Sequence, residues 1–291
     1  MTPEIIEKVT RLSCFENPQD IVAIGGGLTN VNLRVRDGDQ QYVVRLGTDI
    51  AEHGVMRWNE LALSQAASVA GFSPKVVHHE AGVLVLEFLN AQTFTEADVR
   101  NPANLPRIVS RIAQVHRDLA DHLTQPVLAF WPFQVNRTYA ARLRADGSRH
   151  TTALPAMLAQ LDQLESAVGQ IDMVIGHNDL LAANILDDGD KLWLIDWEYG
   201  GFNSPLFDLA GLASNNALSE TQERAMLSQY FETDPDKHWR AYSAMKCTSL
   251  MRETLWSMTS EIHSELDVDY AAYTSENMDR LTSALADFAQ T

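Results

Sequence analysis

Residues 1–90 alternate between short apolar runs and polar or glycine-rich turns, a pattern typical of β-strands. IVAI, VNLRVRDGDQQYVVRL and GVLVLEFL predict successive strands, with a glycine-rich turn at GGGLTN and a hairpin turn at DGD. Residues 51–69 instead have helical spacing, and Gly71 with Pro74 marks the end of that helix. The pattern therefore predicts a small β-rich lobe that contains one helix.

After Asn90 the apolar positions recur at helical spacing. One stripe consists of Leu105, Ile108, Ile112, Val115, Leu119 and Leu123. A second stripe consists of Leu158, Leu161, Leu164 and Val168. Only a segment at about 174–208 breaks the helical pattern. Strands followed by long helical segments predict an α+β fold, with an N-terminal lobe over residues 1–90 and a larger helical lobe over 91–291.

The composition is that of a globular protein, and the net charge disfavours two classes of partner. The chain has 291 residues, of which 45% are hydrophobic. The formal net charge of −17 argues against nucleic acid and against an anionic membrane surface, because both require a basic contact surface. An acidic protein is compatible with a positively charged small substrate.

The cysteines and the N-terminal residues predict a cytoplasmic protein. Cys14 and Cys247 are far apart and lack metal-ligand spacing, so we expect two reduced thiols. The N-terminal MTPEIIEKVTRL lacks the apolar core of a signal peptide. No apolar run approaches the roughly 18 residues that a membrane span requires. We therefore expect a small-molecule substrate and neither a membrane nor a nucleic-acid partner.

The segment VIGHNDLLAANILDDGDKLWLIDWEYGG concentrates the candidate chemistry. Its apolar runs at 185–186 and 192–195 flank a polar DDGDK turn and predict a hairpin. With the turn centred near Asp190, Asn184 is expected to lie opposite Asp196, and opposed residues in such a pair are about 4.5–5.5 Å apart. A carboxamide oxygen and a carboxylate oxygen at that distance suit Mg²⁺.

Two further residues precede this hairpin on the loop that enters it. Asp179, five residues before Asn184, is expected at the mouth of the same site, facing a substrate hydroxyl. His177 is expected to brace the loop through hydrogen bonds. Each residue taken alone is better explained as part of a solvated turn or as a strand cap. The whole array, His-x-Asp-x₅-Asn followed by an apolar strand that ends in Asp, favours a catalytic function.

These motifs resemble those of a known family. HNDLLAANIL resembles the catalytic loop of protein kinases and, more closely, of the aminoglycoside phosphotransferase and choline kinase superfamily. LIDWEYGGFNSPLFDLA is similar to the choline/ethanolamine kinase family, where Asp-Trp-Glu-Tyr is followed by an aromatic-Asn pair and Phe-Asp. The resemblance extends from the glycine-rich turn to the C-terminal helices and implies a protein-kinase-like two-lobed fold.

The resemblance also implies roles for the residues of this segment. Asp179 is expected to be the catalytic base, which accepts the proton of the substrate hydroxyl. Asn184 and Asp196 are expected to hold Mg²⁺ on the phosphates of ATP. Asp208 is expected to support the catalytic loop rather than to contact the substrate.

The nucleotide side begins at the glycine-rich turn IGGGLTNVN. Glycines allow backbone amides to approach phosphate oxygens, although a tight hairpin turn needs glycine in any case. Gly26, Gly27, Thr29 and Asn30 are similar to the nucleotide-covering loop of choline kinases. The resemblance therefore implies that these residues contact ATP.

Four more residues are expected to contact or organise the nucleotide. Arg45 ends a strand at VVRL, where the resemblance implies the cation that holds the α- and β-phosphates. Glu60, on the following helix, is expected to pair with Arg45. The alternative is an ordinary strand-edge arginine and a solvated helix glutamate. Glu87 and Leu89, in EFLN at the lobe junction, are expected to present backbone groups to adenine.

The acceptor side is predicted from SLMRETLWSMTSEIHSELDVDYAAYT, which resembles the C-terminal helices of choline kinases. In that family aromatic residues enclose a quaternary ammonium, and Trp256 matches one of these positions. Glu253 stands where the eukaryotic pattern has a second tryptophan, and a carboxylate suits a primary ammonium. Glu198 and Tyr199 are expected to complete the site. Trp256 is equally compatible with a core position on an amphipathic helix.

We therefore predict an ATP- and Mg²⁺-dependent kinase of choline, ethanolamine or a related amino alcohol. A kinase of an aminoglycoside, thiamine or a sugar is the alternative within the same fold. A nucleotide-binding pseudokinase is disfavoured because Asp179, Asn184 and Asp196 are all present. A protein kinase is disfavoured because no Ala-Pro-Glu-like activation segment follows Asp196.

Overall fold

The computed structural model of the chain describes residues 2–25, 30–264 and 266–291, and its N-terminal part is built on one antiparallel sheet. Helix α1 (Pro3–Thr10) precedes the sheet. The strands are β1 (Pro18–Ala23), β2 (Val31–Asp37), β3 (Gln40–Leu46), β4 (Val76–Glu80) and β5 (Val83–Glu87). They lie in the order β1-β2-β3-β5-β4. Gly26, Gly27 and Thr29, predicted to contact the nucleotide, lie outside the described residues.

The alternation of apolar and charged residues decides which face of this sheet is buried. Leu33 and Val35 of β2 are fully buried, whereas Arg34 between them is exposed. They pack with Val9 of α1 in a small apolar core. Gly38 in the β2–β3 turn has a φ of +59°, which glycine adopts without steric cost. The predicted strands and the DGD hairpin are confirmed.

Helix α2 (Arg57–Val69) is shorter than the sequence pattern predicts. The prediction that the helix begins at residue 51 is wrong. Ile50 and Val55 exchange two backbone hydrogen bonds, of 2.9 and 3.1 Å, and Gly54 between them has a φ of +71°. Because this closed loop uses the backbone groups that a helix would need, the helix begins only at Arg57. The apolar face of α2 packs into the core of the C-terminal lobe.

The C-terminal part is mainly helical. Its helices are α3 (Glu96–Arg100), α4 (Leu105–Asp118), α5 (Pro132–Ala145), α6 (Leu154–Val168), α7 (Pro205–Asn215), α8 (Glu220–Phe231), α9 (Asp236–His263) and α10 (Tyr270–Phe288). Helix α9 has 28 residues and packs against α5, α6, α7 and α10, so it forms the centre of this lobe. None of the helices within the described ranges has the length and apolarity to cross a membrane.

The predicted apolar stripes are confirmed in these helices. Ile108, Ile112 and Val115 of α4 are each 1% exposed, and Leu119 is buried in the 3₁₀ turn that follows. Leu161 and Leu164 of α6 are equally buried. Side chains three and four residues apart lie on one face of a helix, which explains why one stripe faces the core.

Short strands interrupt the helices in the segment that carries the candidate chemistry. They are β6 (Gln92–Thr93), β7 (Val174–Gly176), β8 (Ile185–Asp187), β9 (Leu192–Leu194) and β10 (Gly201–Asn203). β6, β8 and β9 form one sheet, and β7 pairs with β10. The loops between these strands carry the residues of the candidate site.

Candidate active site

The β8–β9 hairpin forms where the sequence predicts it, but its register differs by one residue. Ile185 pairs with Leu194, and the carbonyl oxygen of Asn184 accepts a hydrogen bond of 3.0 Å from the amide of Ile195. The prediction that Asn184 lies opposite Asp196 is therefore wrong. Asp188 decides the register, because its carboxylate accepts from two backbone amides of the turn and centres the turn between Gly189 and Asp190.

Asn184 and Asp196 nevertheless line the same cleft, a cavity of about 430 Å³ between the two lobes. The side-chain amide of Asn184 donates to the carbonyl oxygen of Asp179 at 2.9 Å. This bond directs the NH₂ group toward the loop, so the amide oxygen is the atom available to a cation. Asp196 has a φ of +70°, a sparsely populated conformation of the kind that clusters at functional sites. An amide oxygen and a carboxylate fit Mg²⁺, which prefers oxygen ligands.

Arg45 joins β3 to this cleft through buried ion pairs. Its Nη2 lies 2.7 Å from Oδ1 of Asp196 and 3.0 Å from Oε1 of Glu60. Burial lowers the pKa of Arg45, but Asp196 and Glu60 more than offset this, and the pKa lies above its ordinary value. The pairing of Arg45 with Glu60 that the sequence predicts is present. Nε of Arg45 is buried and has no hydrogen-bond partner among the described residues.

A second arginine, Arg57, extends this network toward Glu198. Nη1 of Arg57 lies 2.6 Å from Glu60 and 3.3 Å from Oε2 of Glu198. Asn30, predicted to contact the nucleotide, donates to the same Glu198 oxygen at 3.2 Å. Burial and the nearby Asp196 charge raise the pKa of Glu198 to about 7. The sequence analysis did not identify Arg57, which has no motif of its own.

The loop before Asn184 is held by Asp208 of α7. Its carboxylate accepts hydrogen bonds from the backbone amides of His177, at 2.7 Å, and Asn178, at 2.6 Å. Nε2 of His116 lies 2.9 Å from the same group. Burial raises the pKa of Asp208, but these hydrogen bonds outweigh it and hold the pKa below its ordinary value. Asp208 therefore braces the loop, the position expected of it, and His116 is a partner that the sequence pattern did not indicate.

His177 connects this loop to the strand that leads to Asp196. Its Nε2 lies 2.8 Å from the carbonyl oxygen of Ile195. Burial lowers the pKa of His177, so the neutral ring donates its Nε2 proton to that carbonyl. The hydrogen bond fixes the distance between the two segments that carry Asp179 and Asp196.

Asp179 lies at the end of this braced loop. Burial raises its pKa to about 8, Arg252 opposes the rise, and the carboxylates Glu253 and Asp196 add to it. A carboxylate whose pKa lies near neutral pH is suited to general base catalysis. The charged groups that act on Asp179 are Asp196 and Glu198 from the segment after β9 and Arg252 and Glu253 from α9.

The other end of the cleft contains the predicted adenine contacts. Glu87 and Leu89 line the cavity together with Arg45 and Asn184. The amide of Glu87 donates to the carbonyl oxygen of Lys75, just before β4, at 2.9 Å, and the carbonyl oxygen of Leu89 accepts from the amide of Ala91 at 3.0 Å. The junction between the two lobes therefore lines the same cavity as Arg45 and Asn184.

Trp256 and Tyr199 lie together on the acceptor side. The indole N–H of Trp256 donates to the hydroxyl of Tyr199 at 3.0 Å. The Trp256 ring packs against His53, at 4.8 Å between centroids, and against Tyr270, at 6.1 Å. Trp256 is only 6% exposed and belongs to the hydrophobic core, which is the alternative position that the sequence left open for it. Glu198 and Tyr199 also line a separate cavity of about 600 Å³.

Arg252 is the main residue of this region that the sequence analysis missed. Its Nη1 lies 2.9 Å from Oε2 of Glu253, and its guanidinium carbon lies 4.3 Å from the centroid of the Tyr199 ring. The hydroxyl of Tyr273 donates to the other Glu253 oxygen at 2.7 Å. One signal was present in the sequence: Arg252 precedes Trp256 by four residues, so the two share a helix face.

The chain is similar to known proteins over most of its length. A family model described as "Choline/ethanolamine kinase" matches residues 21–242. A probable ethanolamine kinase of Arabidopsis thaliana is 25% identical over 94% of this chain and 83% of its own length.

Two solved structures have a similar fold. One is choline kinase LicA from Streptococcus pneumoniae, with a TM-score of 0.76, 21% identity and coverage of 99% of this chain and 98% of that chain. The other is a choline/ethanolamine kinase family protein from Mesorhizobium loti, with a TM-score of 0.75 and 23% identity. It covers 92% of this chain and 88% of that chain. These matches confirm the predicted kinase-like fold.

Proposed function

Because the chain belongs to the choline/ethanolamine kinase family and is a phosphotransferase with an alcohol acceptor, we propose that it transfers the γ-phosphoryl group of ATP to an amino alcohol such as choline or ethanolamine. The observation that carries this proposal is the convergence of Asn184, Asp196 and Arg45 on one cleft. The braced loop that carries Asp179 lies next to it. The cytoplasm stays the predicted location.

The metal-side residues define how the phosphates would be held. Asn184 and Asp196 would hold Mg²⁺, which supplies positive charge to the β- and γ-phosphate oxygens. Arg45 would release part of its contact with Asp196 and bind phosphate oxygens through its planar guanidinium group. The ion pair with Glu60 keeps the Arg45 side chain extended from β3. Gly26, Gly27, Thr29 and Asn30 are proposed to cover the nucleotide, and Glu87 and Leu89 to contact adenine.

Asp179 would act on the acceptor hydroxyl. In the transfer, the hydroxyl oxygen forms a bond to the γ-phosphorus while the bond to the β–γ bridging oxygen breaks. The hydroxyl proton passes to the Asp179 carboxylate. With its pKa raised to about 8, Asp179 is the stronger base when ionised, and the ionised form that accepts the proton becomes more populated as the pH rises toward 8. His177 and Asp208 keep the loop in place during the reaction.

The acceptor would lie beside Asp179, between Glu198, Tyr199, Glu253 and Trp256. These residues come from the segment after Asp196 and from α9; Tyr199 contacts Trp256 directly and Glu253 through Arg252. Glu198 and Glu253 supply carboxylate oxygens to this region, which suit a cationic acceptor, and Arg252 supplies a positive charge that opposes it.

The test is an ADP-release assay with Mg²⁺ and ATP, comparing choline, ethanolamine, thiamine and an aminoglycoside. Stimulation by choline or ethanolamine that is lost in Asp179→Ala would support the proposal. Stimulation by thiamine or the aminoglycoside alone would keep the kinase and reject the amino alcohol as acceptor.

A further inference from the structure

Arg252 places a positive charge inside the acceptor region. The residue is 5% exposed, and its guanidinium carbon lies 4.3 Å from the centroid of the Tyr199 ring and 6.0 Å from that of Phe130. At such distances a guanidinium is attracted by the negative face of an aromatic ring. The aromatic face that Tyr199 presents on this side is therefore already used by a cation of the chain itself.

The same arginine is paired with the neighbouring carboxylate of Glu253. Nη1 of Arg252 binds one oxygen of Glu253, and Tyr273 donates to the other oxygen. Nε and Nη2 of Arg252 are buried and have no hydrogen-bond partner among the described residues. Stacking on Tyr199 and the single ion pair with Glu253 are thus the contacts that fix its position.

A quaternary ammonium and a protonated amine respond differently to this arrangement. A quaternary ammonium has no N–H donor, so it is recognised through aromatic faces and overall charge. Here the Tyr199 face meets Arg252, and Trp256 is enclosed by His53 and Tyr270. An amine that carries N–H groups can instead donate to carboxylate or hydroxyl oxygens and does not need an open ring face.

We propose that Arg252 is a specificity-determining residue that excludes quaternary ammonium groups, so that the acceptor is an amino alcohol whose nitrogen carries N–H donors. This inference rests on the proposed kinase activity toward amino alcohols and narrows its substrate class. It predicts that each methyl group added to the acceptor nitrogen lowers kcat/KM for that acceptor.

The first experiment measures binding without catalysis. Titration calorimetry with tetramethylammonium chloride compares the wild type, Arg252→Met and Arg252→Lys. Arg252→Met removes the charge while keeping an unbranched side chain. Tyr199 and Glu253 can then contact the tetramethylammonium ion. We expect its affinity to rise about tenfold or more, whereas Arg252→Lys, which keeps the charge, stays near the wild type. Equal affinity in the wild type and Arg252→Met would overturn the proposal.

The second experiment measures kcat/KM for ethanolamine and its N-methyl, N,N-dimethyl and N,N,N-trimethyl derivatives. In the wild type we expect a decrease with each methyl group, and in Arg252→Met a preference for ethanolamine over choline that is about tenfold smaller. A wild type that uses choline as efficiently as ethanolamine would contradict the inference, and this arm does not depend on the folding of a variant.

The two experiments separate the inference from the proposed function. If none of the four alcohols is phosphorylated, the amino-alcohol kinase proposal fails, and the tetramethylammonium titration still decides whether Arg252 excludes quaternary ammonium. Unchanged ATP affinity and an unchanged circular dichroism spectrum would show that Arg252→Met is folded, because Arg252 lies outside the nucleotide cleft.

Discussion

Nη2 of Arg45 lies 2.7 Å from Oδ1 of Asp196, although the two residues are 151 positions apart in the chain. This contact joins a strand of the N-terminal sheet to the loop after β9, and Glu60 of α2 completes it. Both charged groups are largely buried, so each depends on the other for compensation.

Asp179→Ala should abolish turnover and leave ATP binding nearly unchanged, because we propose that its carboxylate acts on the acceptor and not on the nucleotide. The loss of a general base predicts a decrease in kcat of about 10²–10⁴-fold. ADP release measures turnover, and titration calorimetry measures ATP affinity. Asp190→Ala, an exposed residue of the β8–β9 turn, is the matched control and should retain activity. A large loss of ATP affinity in Asp179→Ala would contradict the assigned role.

Asp196→Ala should weaken the binding of the metal–nucleotide complex itself. The substitution removes the carboxylate that would hold Mg²⁺ and leaves Arg45 with Glu60 as its remaining partner. ATP affinity should fall in the presence of Mg²⁺ and change much less when the metal is chelated. Calorimetric titrations with and without Mg²⁺ measure this difference. Equal effects under the two conditions would argue that Asp196 acts only as the ion-pair partner of Arg45.

Glu60→Gln should raise KM for ATP and lower stability, because it leaves the buried charges of Arg45 and Arg57 with less compensation. We expect a decrease in the free energy of unfolding of about 2–4 kcal/mol. The control is Glu96→Gln, which breaks an exposed pair with Arg100 and should cost less than about 1 kcal/mol. Urea denaturation measures both variants. A cost for Glu60→Gln as small as that of the control would refute the structural importance of the network.

Asp208→Asn should destabilise the catalytic loop in a pH-dependent way. Both carboxylate oxygens accept N–H donors, whereas an amide would turn its NH₂ group toward one of them. At neutral pH we expect a loss of about 2–4 kcal/mol in the free energy of unfolding.

The pH dependence of that loss follows from the lowered pKa of Asp208. A carboxylate with a depressed pKa stabilises the fold above its unfolded value of about 3.9, and this contribution disappears as the pH falls through the folded value. The difference between the wild type and Asp208→Asn should therefore be largest near neutral pH and shrink below about pH 4. Urea denaturation across this range measures it, and a difference that is constant with pH would exclude the ionised carboxylate as the cause.

Much of the fold could be predicted from the sequence, because periodicity is a local property. The stripe in α4 and the alternation in β2 follow from the side-chain geometry of a helix and a strand. The start of α2 could not be predicted in this way. The closed loop between Ile50 and Val55 depends on two backbone hydrogen bonds that leave no periodic signal.

The candidate site likewise combines features that the sequence predicts with features that it does not. The sequence by itself determined the order and spacing of Asp179, Asn184 and Asp196, because their chemistry is encoded in residue type. The hairpin register was also set locally, by the side chain of Asp188 in the turn, which the apolar pattern does not reveal. Only the tertiary structure placed Arg252 on the ring of Tyr199. That contact depends on how distant segments pack, since a contact between residues 53 positions apart is set by the shared core and not by either local pattern.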